Sequence, residues 1–345
     1  MKLLLTIILM AAMSGHVCQD TDSGPGAQKR MAVVETSTCY MRLMPDYESA
    51  LETQELMGTV VEIVGEKGYW REIVSPQPYK AWTTEKTLVE MTQEQVTEYE
   101  KAPKYMFAGL YGHIYSEPSD KAQTICDLVG GDVMRAVMQG AGKPFVKGKW
   151  AKVMLPSGKT GWVLRKDVCP LGERIDIRMG DAAEGKVSQE KMEDIITSAR
   201  QLLGVPYLWG GMSAKGVDCS GLVRISCIMN GVLLPRNASQ QIRCGKPVEV
   251  NADPAFWNEE ARKDKEAFSR EMKQRITSLQ RGDLVFFGTP ATAEKPMRVT
   301  HVGIYLGNGE IIHSSHLVRI NSLDPEADNF YENAHRLIGG CRLVN

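Results

Sequence analysis

From Met31 to Val89 short apolar stretches alternate with turn residues, as in MGTVVEIVGEKGYWREIV and the PYKAWTTEKTL that follows. The same grammar returns from Ser119 to Val168 in CDLVGGDVMRAVMQ and GKWAKVMLPSGKTGWVLRKDV. Each stretch holds an apolar strand pair, a Gly/Lys turn before an aromatic residue, and a closing Trp. This low-identity internal repeat predicts two small all-β barrels, residues 31–90 and 119–170, joined by a polar linker over 91–118. One continuous β-sandwich is the alternative.

A second pattern begins near Ser188. Met192, Ile195, Ile196, Ala199, Leu202 and Leu203 recur at helical spacing, with Ser188 placed to cap the start and Gly204 and Pro206 to end the run. A second helix is expected from Cys219 to Asn230, stopped by Gly231, with Leu222, Val223 and Cys227 on its buried side. Further on, GDLVFFG and THVGIYLGNGEIIHSS read as strands. The intervening stretch, residues 251–279, is dense in charge and reads as helical after Pro254 and as a solvated surface insertion. The fold class is therefore multidomain: two β-barrels, then an α+β domain over 188–345.

Charge adds little. Lys plus Arg total 41 against 42 Asp plus Glu, which gives no global field for nucleic acid or an anionic membrane. The opening MKLLLTIILMAAMSG has the layout of a secretory signal peptide, placed at residues 1–18, with an apolar run too short to span a bilayer. The expected location is the periplasm or cell envelope. Lipid anchoring through Cys18 is an alternative to free export, although Val17 is a poor fit to the small residue such anchoring needs. The other cysteines, 39, 126, 169, 219, 227, 244 and 341, show no repeated short spacing, which excludes a zinc pattern and does not demand disulfides. Neither a metal nor a cofactor is expected, and the oligomeric state is left open.

Cys219 stands in GVDCSGLV where the apolar-periodic run begins. The unsatisfied N–H groups of a helix N-terminus favour the thiolate, so this place suits a nucleophile. It needs a base. His301 opens the strand HVGIYLG, and a polar group on a strand that reads as buried requires a partner. If Asn308 and Gly309 alone form the hairpin loop, Leu306 pairs with Ile311 and His301 faces His316. If Gly307, Asn308 and Gly309 form it, Leu306 pairs with Glu310 and His301, Gly303 and His313 share a face. GNG suits the bulged loop, so His313 is expected to orient His301, with His316 as the other candidate.

PYLWGGMSAKGVDCSGLV, LPRNASQQ, RGDLVFFG and THVGIYLGNGEIIHSS, in this order, resemble the NlpC and p-sixty family of papain-like bacterial cell-wall cysteine peptidases. The resemblance covers Ser188 to the last residue, and the preceding barrels resemble bacterial SH3-like domains. It implies Cys219 as nucleophile, His301 as general base and His313 as the polar third residue. It further implies Tyr207 and Trp209 as aromatic residues lining the substrate side, and Asp218 and Ser220 as neighbours of the nucleophile that contact substrate. Relatives that bind a free amine often carry Asp where this chain has Asn237, so amine recognition here has one charge fewer. In that family the first barrel reaches the groove, which makes Tyr79, Glu48 and Glu52 candidates.

The activity implied is hydrolysis of the γ-D-glutamyl-L-diamino acid bond in peptidoglycan stem peptides or free murein tripeptide. A papain-like amidase or acyltransferase, or a peptidoglycan-binding protein without catalysis, are the alternatives.

Overall fold

The computed structural model describes residues 29–181, 187–250 and 254–344. The expected signal segment at 1–18, with Cys18, lies outside the described residues, and among those described no helix is long and apolar enough to cross a membrane.

The first β unit is a seven-stranded antiparallel sheet between Arg30 and Met91, wrapped on Ala32, Val34, Met41, Val61, Ile63 and Ile73. Strand alternation produces this core in CYM and VVEI, whose odd and even positions divide between the inside and the outer face, whereas AVV of the first strand is buried throughout. The second unit is an eight-stranded sheet between Lys104 and Pro170 around Phe107, Ile114, Leu128, Met134, Val153 and Val163. Together they form two SH3-like barrels ahead of a papain-like domain.

The expected linker needs correction. Residues 91–118 contain helix α1 (Gln93–Lys101) and the first two strands of the second sheet, Lys104–Phe107 and Tyr111–Tyr115. Polar composition hid the helix. Thr92 and Gln95 form a reciprocal capping box, and only Val96 and Tyr99 are buried. His113 accordingly sits inside a barrel strand.

In the third unit α2 (Gln189–Gln201), capped by Ser188, and α3 (Cys219–Ile228) pack on one face of a six-stranded sheet. Its order is Lys246–Val248, Leu337–Arg342, Leu284–Thr289, Arg298–Gly307, Glu310–Ser315 and Leu317–Ser322. Leu222, Val223 and Ile225 of α3 are essentially inaccessible, each contributing about 1.5–3 kcal/mol by leaving water.

The charged stretch is a second correction. Helix α4 (Lys265–Arg275) buries Phe268 and Met272 against Phe287, Tyr305, Ile311 and Tyr331 on the other face of the sheet. Arg275 is fully buried, paired with Glu271 and donating to the His335 carbonyl. Hydropathy misleads here because two apolar residues at i and i+4 suffice to seat a helix whose remaining faces are wet.

The barrels are joined to this domain by apolar packing, with Leu56 of the first and Val129 of the second buried in its main core cluster, and by polar contacts. Strand Leu51–Leu56 inserts Thr53, Gln54 and Glu55 as buried residues. Arg236 donates to Thr53 at 2.7 Å, the Met212 N–H to Gln54 at 2.8 Å, and Arg224 pairs with Glu55 at 3.4 Å. Lys215 reaches Ser37 and Thr38 of the first barrel and Asp127 of the second.

Candidate active site

Helix α3 begins abruptly because Asp218 caps it, accepting from the Gly221 N–H at 2.7 Å. A Cβ at Gly221 would lie 2.0 Å from the Gly211 carbonyl oxygen, so only glycine lets the helix start this close to the preceding loop. The other Asp218 oxygen accepts from the Gly210 N–H at 3.0 Å and pairs with Arg236 at 2.5 Å. The Ser220 hydroxyl donates to Asp218 and accepts from Arg236. Asp218 and Ser220 are buried and their polar atoms are engaged in this network. They hold the helix start in place, and contact with substrate is what the family resemblance implies for them.

Cys219, the first residue of α3, is partly buried, and its sulfur accepts from the backbone N–H of Val302, the residue after His301. Burial, then the Asp218 carboxylate, push the thiol up to about 12, against the Val302 N–H. Burial takes His301 down to about 3 and His313 down to about 4. Burial thus favours the neutral forms, a thiol beside an uncharged imidazole, over the ion pair.

His301 Nε2 lies 2.7 Å from His313 Nδ1. Gly303 pairs with His313, and Tyr305 with Ile311, the register expected of the three-residue loop. The loop closes differently: Gly307 pairs with Glu310, Leu306 is bulged, and the turn is Asn308-Gly309 with φ of 52° and 78°. Leu306 does not face Glu310. The bulge supplies the extra residue that a third loop position would have supplied. His316 stands in the next turn at φ 63°, exposed, with its carbonyl accepting from the Tyr207 N–H.

Two neighbours of the histidines were not anticipated. Asn321 Oδ1 lies 2.9 Å from His313 Nε2. Tyr331 sets its ring 4.7 Å from His313 and 5.7 Å from His301. Alternation in VRINS, once registered against EIIHSS, gives a signal for Asn321; Tyr331 comes from a loop and has none.

An open groove beside the pair is lined by Tyr207, His301, Ser314, Ser315 and His316. Trp209, in the same loop as Tyr207, is 57% exposed. Toward the barrel, Tyr79 donates to Glu52 at 2.8 Å and also bonds Asn237. Burial, then Glu52, raise Tyr79. The second carboxylate oxygen of Glu52 is buried without a partner. Arg236 stands within electrostatic range of both Tyr79 and Cys219. Glu48 is not brought to this place: it is exposed in the turn after Arg42, its N–H donating to Asp46. Among the described residues no group of His, Cys, Asp and Glu is arranged to hold a metal, and the seven cysteines are free.

Residues 204–335 match the NlpC/P60 family. Over 285 residues the chain is 27% identical to a γ-D-glutamyl-L-lysine dipeptidyl-peptidase of Bacillus cereus, covering 80% of this chain and 70% of that protein. A protein of the same description from Bacillus subtilis is 28% identical, covering 77% and 73%. The crystal structure of an NlpC/P60 family protein from Bacillus cereus superposes with a TM-score of 0.65 at 21% identity, covering 91% of this chain and all of that one. Behind its two barrels the protein carries a cysteine peptidase domain of the NlpC/P60 family.

Proposed function

We propose that this enzyme hydrolyses the γ-D-glutamyl-L-diamino acid bond of peptidoglycan stem peptides whose first residue bears a free amine, L-Ala-γ-D-Glu-diamino acid being the minimal substrate. His301 takes the proton of Cys219, and the sulfur attacks the γ-carbonyl of D-glutamate. The first-turn N–H of Cys219 and the Tyr207 hydroxyl receive the oxyanion. His301 then returns the proton to the leaving amine, and water, deprotonated by the same imidazole, releases the thioester.

The observation that carries the substrate choice is the partnerless buried oxygen of Glu52 beside Tyr79 and Asn237. A buried acceptor without a donor costs about 1–3 kcal/mol, and an ammonium satisfies it. Asn237 adds an acceptor without charge, so Glu52 supplies the countercharge. The leader sequence and the wall-derived substrate agree with an exported protein of the periplasm or envelope, free or anchored through Cys18.

The test is mass spectrometry of L-Ala-γ-D-Glu-diaminopimelate, free and N-acetylated, incubated with the full chain. Release of L-Ala-γ-D-Glu from the free peptide alone is expected; equal rates on both would refute amine recognition, and no release from either would refute the reaction.

A further inference from the structure

Asn321 is 7% exposed on the edge strand Leu317–Ser322. Its Nδ2 lies 2.6 Å from the Asn329 carbonyl oxygen. A carbonyl only accepts, so the amide must turn its NH2 group there and its oxygen toward His313. The reversed amide would set two acceptors against each other.

An amide oxygen also only accepts. His313 Nε2, 2.9 Å away, therefore carries the hydrogen. In a neutral imidazole this leaves Nδ1 bare, and Nδ1 is the atom that meets His301 Nε2. That nitrogen in turn must donate, so His301 Nδ1 is the bare one. His301 lines the groove beside Tyr207, and a bare nitrogen there is what a thiol proton requires.

We infer that Asn321, locked by the Asn329 carbonyl, is the positioning residue that sets the tautomer of both histidines and makes His301 Nδ1 the base. This rests on the peptidase reading above. Without Asn321 either histidine can bind the other in either sense, and half of the arrangements present an N–H to the sulfur.

The choice of an amide over a carboxylate has a second effect. When the Sγ–H bond of Cys219 breaks and the His301 Nδ1–H bond forms, the imidazolium meets no anion along the chain. His301 faces His313, Tyr331 and the apolar Phe287, and the Cys219 sulfur is bonded to the next residue's N–H, Val302; His313 faces Tyr331, Asn321 and its cross-strand neighbour Arg319. Arg319 disfavours positive charge at both histidines. The charge stays on His301, ready to return to the leaving amine.

The experiment compares full-length wild type, Asn321→Leu and Asn321→Asp. Long-range proton–nitrogen NMR of 15N-labelled histidine reads the tautomers at neutral pH, and kcat, KM and the pH profile of kcat/KM are measured on the free tripeptide. Wild type is expected to show both rings protonated on Nε2. Asn321→Leu should mix the tautomers and lower kcat about 100-fold with KM unchanged. Asn321→Asp keeps the size and the acceptor toward His313 but gives up the N–H donated to the Asn329 carbonyl; the retained acceptor should preserve the tautomers, and its charge should move the acid limb of the profile to higher pH. Unmixed tautomers with kcat within twofold of wild type in the Leu variant would overturn the inference, as would an unmoved acid limb in the Asp variant. If the Leu variant does not fold, the Asp variant decides. The pH dependence of mass-mapped Cys219 alkylation repeats the test without substrate, so an error in the assigned substrate leaves this result standing.

Discussion

Tyr79 and Glu52, both on the first barrel, are bonded at 2.8 Å, and this pair stands against the peptidase domain's Asn237. The hydroxyl orients the carboxylate so that one oxygen is spent and the other has no partner among the described residues. Glu52→Gln removes the charge while keeping the size. It is expected to raise KM for the free tripeptide about 10–100-fold, the worth of a charged hydrogen bond, with kcat little changed. Tyr79→Phe should cost about 10-fold or less. Steady-state kinetics on free and acetylated peptides checks this: the variants should narrow the preference for the free amine.

Cys219→Ala is expected to abolish turnover and leave the melting temperature close to that of wild type, since the side chain is only partly buried. Cys227, eight residues along the same helix, is fully buried. Its replacement by Ala should retain activity and cost about 1 kcal/mol, read by urea titration.

Arg236 is 2% exposed and pairs with Asp218. Arg236→Ala leaves that carboxylate buried without its cation, which typically costs about 3–5 kcal/mol. It should also release the start of α3, so that kcat falls along with stability. A variant with unchanged denaturation and unchanged kcat would show that the network is not what holds Cys219.

His301 and His313 titrate far below the ordinary 6.5, mainly through burial. Below that pH the unfolded chain binds protons that the fold excludes, so stability is full above about 6.5 and declines as pH falls toward the folded values near 4 and 3. Each histidine adds at most about 1.4 kcal/mol per pH unit. His313→Ala should flatten the acid side of a plot of unfolding free energy against pH between 4 and 7.

His316→Gly should keep kcat within about twofold, because glycine takes φ 63° freely and the bond to His301 belongs to His313. A loss as deep as that of His301→Ala would reassign the orienting role.

Much of this was legible in the chain. The thiol at a helix start, the strand histidine and the relation of His301 to His313 followed from periodicity and the GNG turn. The loop itself was misjudged, because a bulge at Leu306 and a third loop residue have the same effect on side-chain direction. The network behind Asp218 and Ser220 was not legible, since nothing in the sequence announces that Arg236, sixteen to eighteen residues on, folds back between them. Helices α1 and α4 were missed or undervalued for one reason: both are anchored by two apolar side chains on otherwise polar surfaces.

The seam between the first barrel and the peptidase domain bears on ancestry and on protein engineering. The apolar part of this seam, Leu56 against the peptidase core, would by itself tolerate sliding, whereas Thr53, Gln54 and Glu55 meeting Arg236, Met212 and Arg224 fix one docking angle. A barrel from another protein, grafted in place of this one, would strand buried donors on the peptidase side unless it brought the same three residues in the same register. Barrel and peptidase are therefore expected to have diverged as a matched pair, each constraining which substitutions the other could accept.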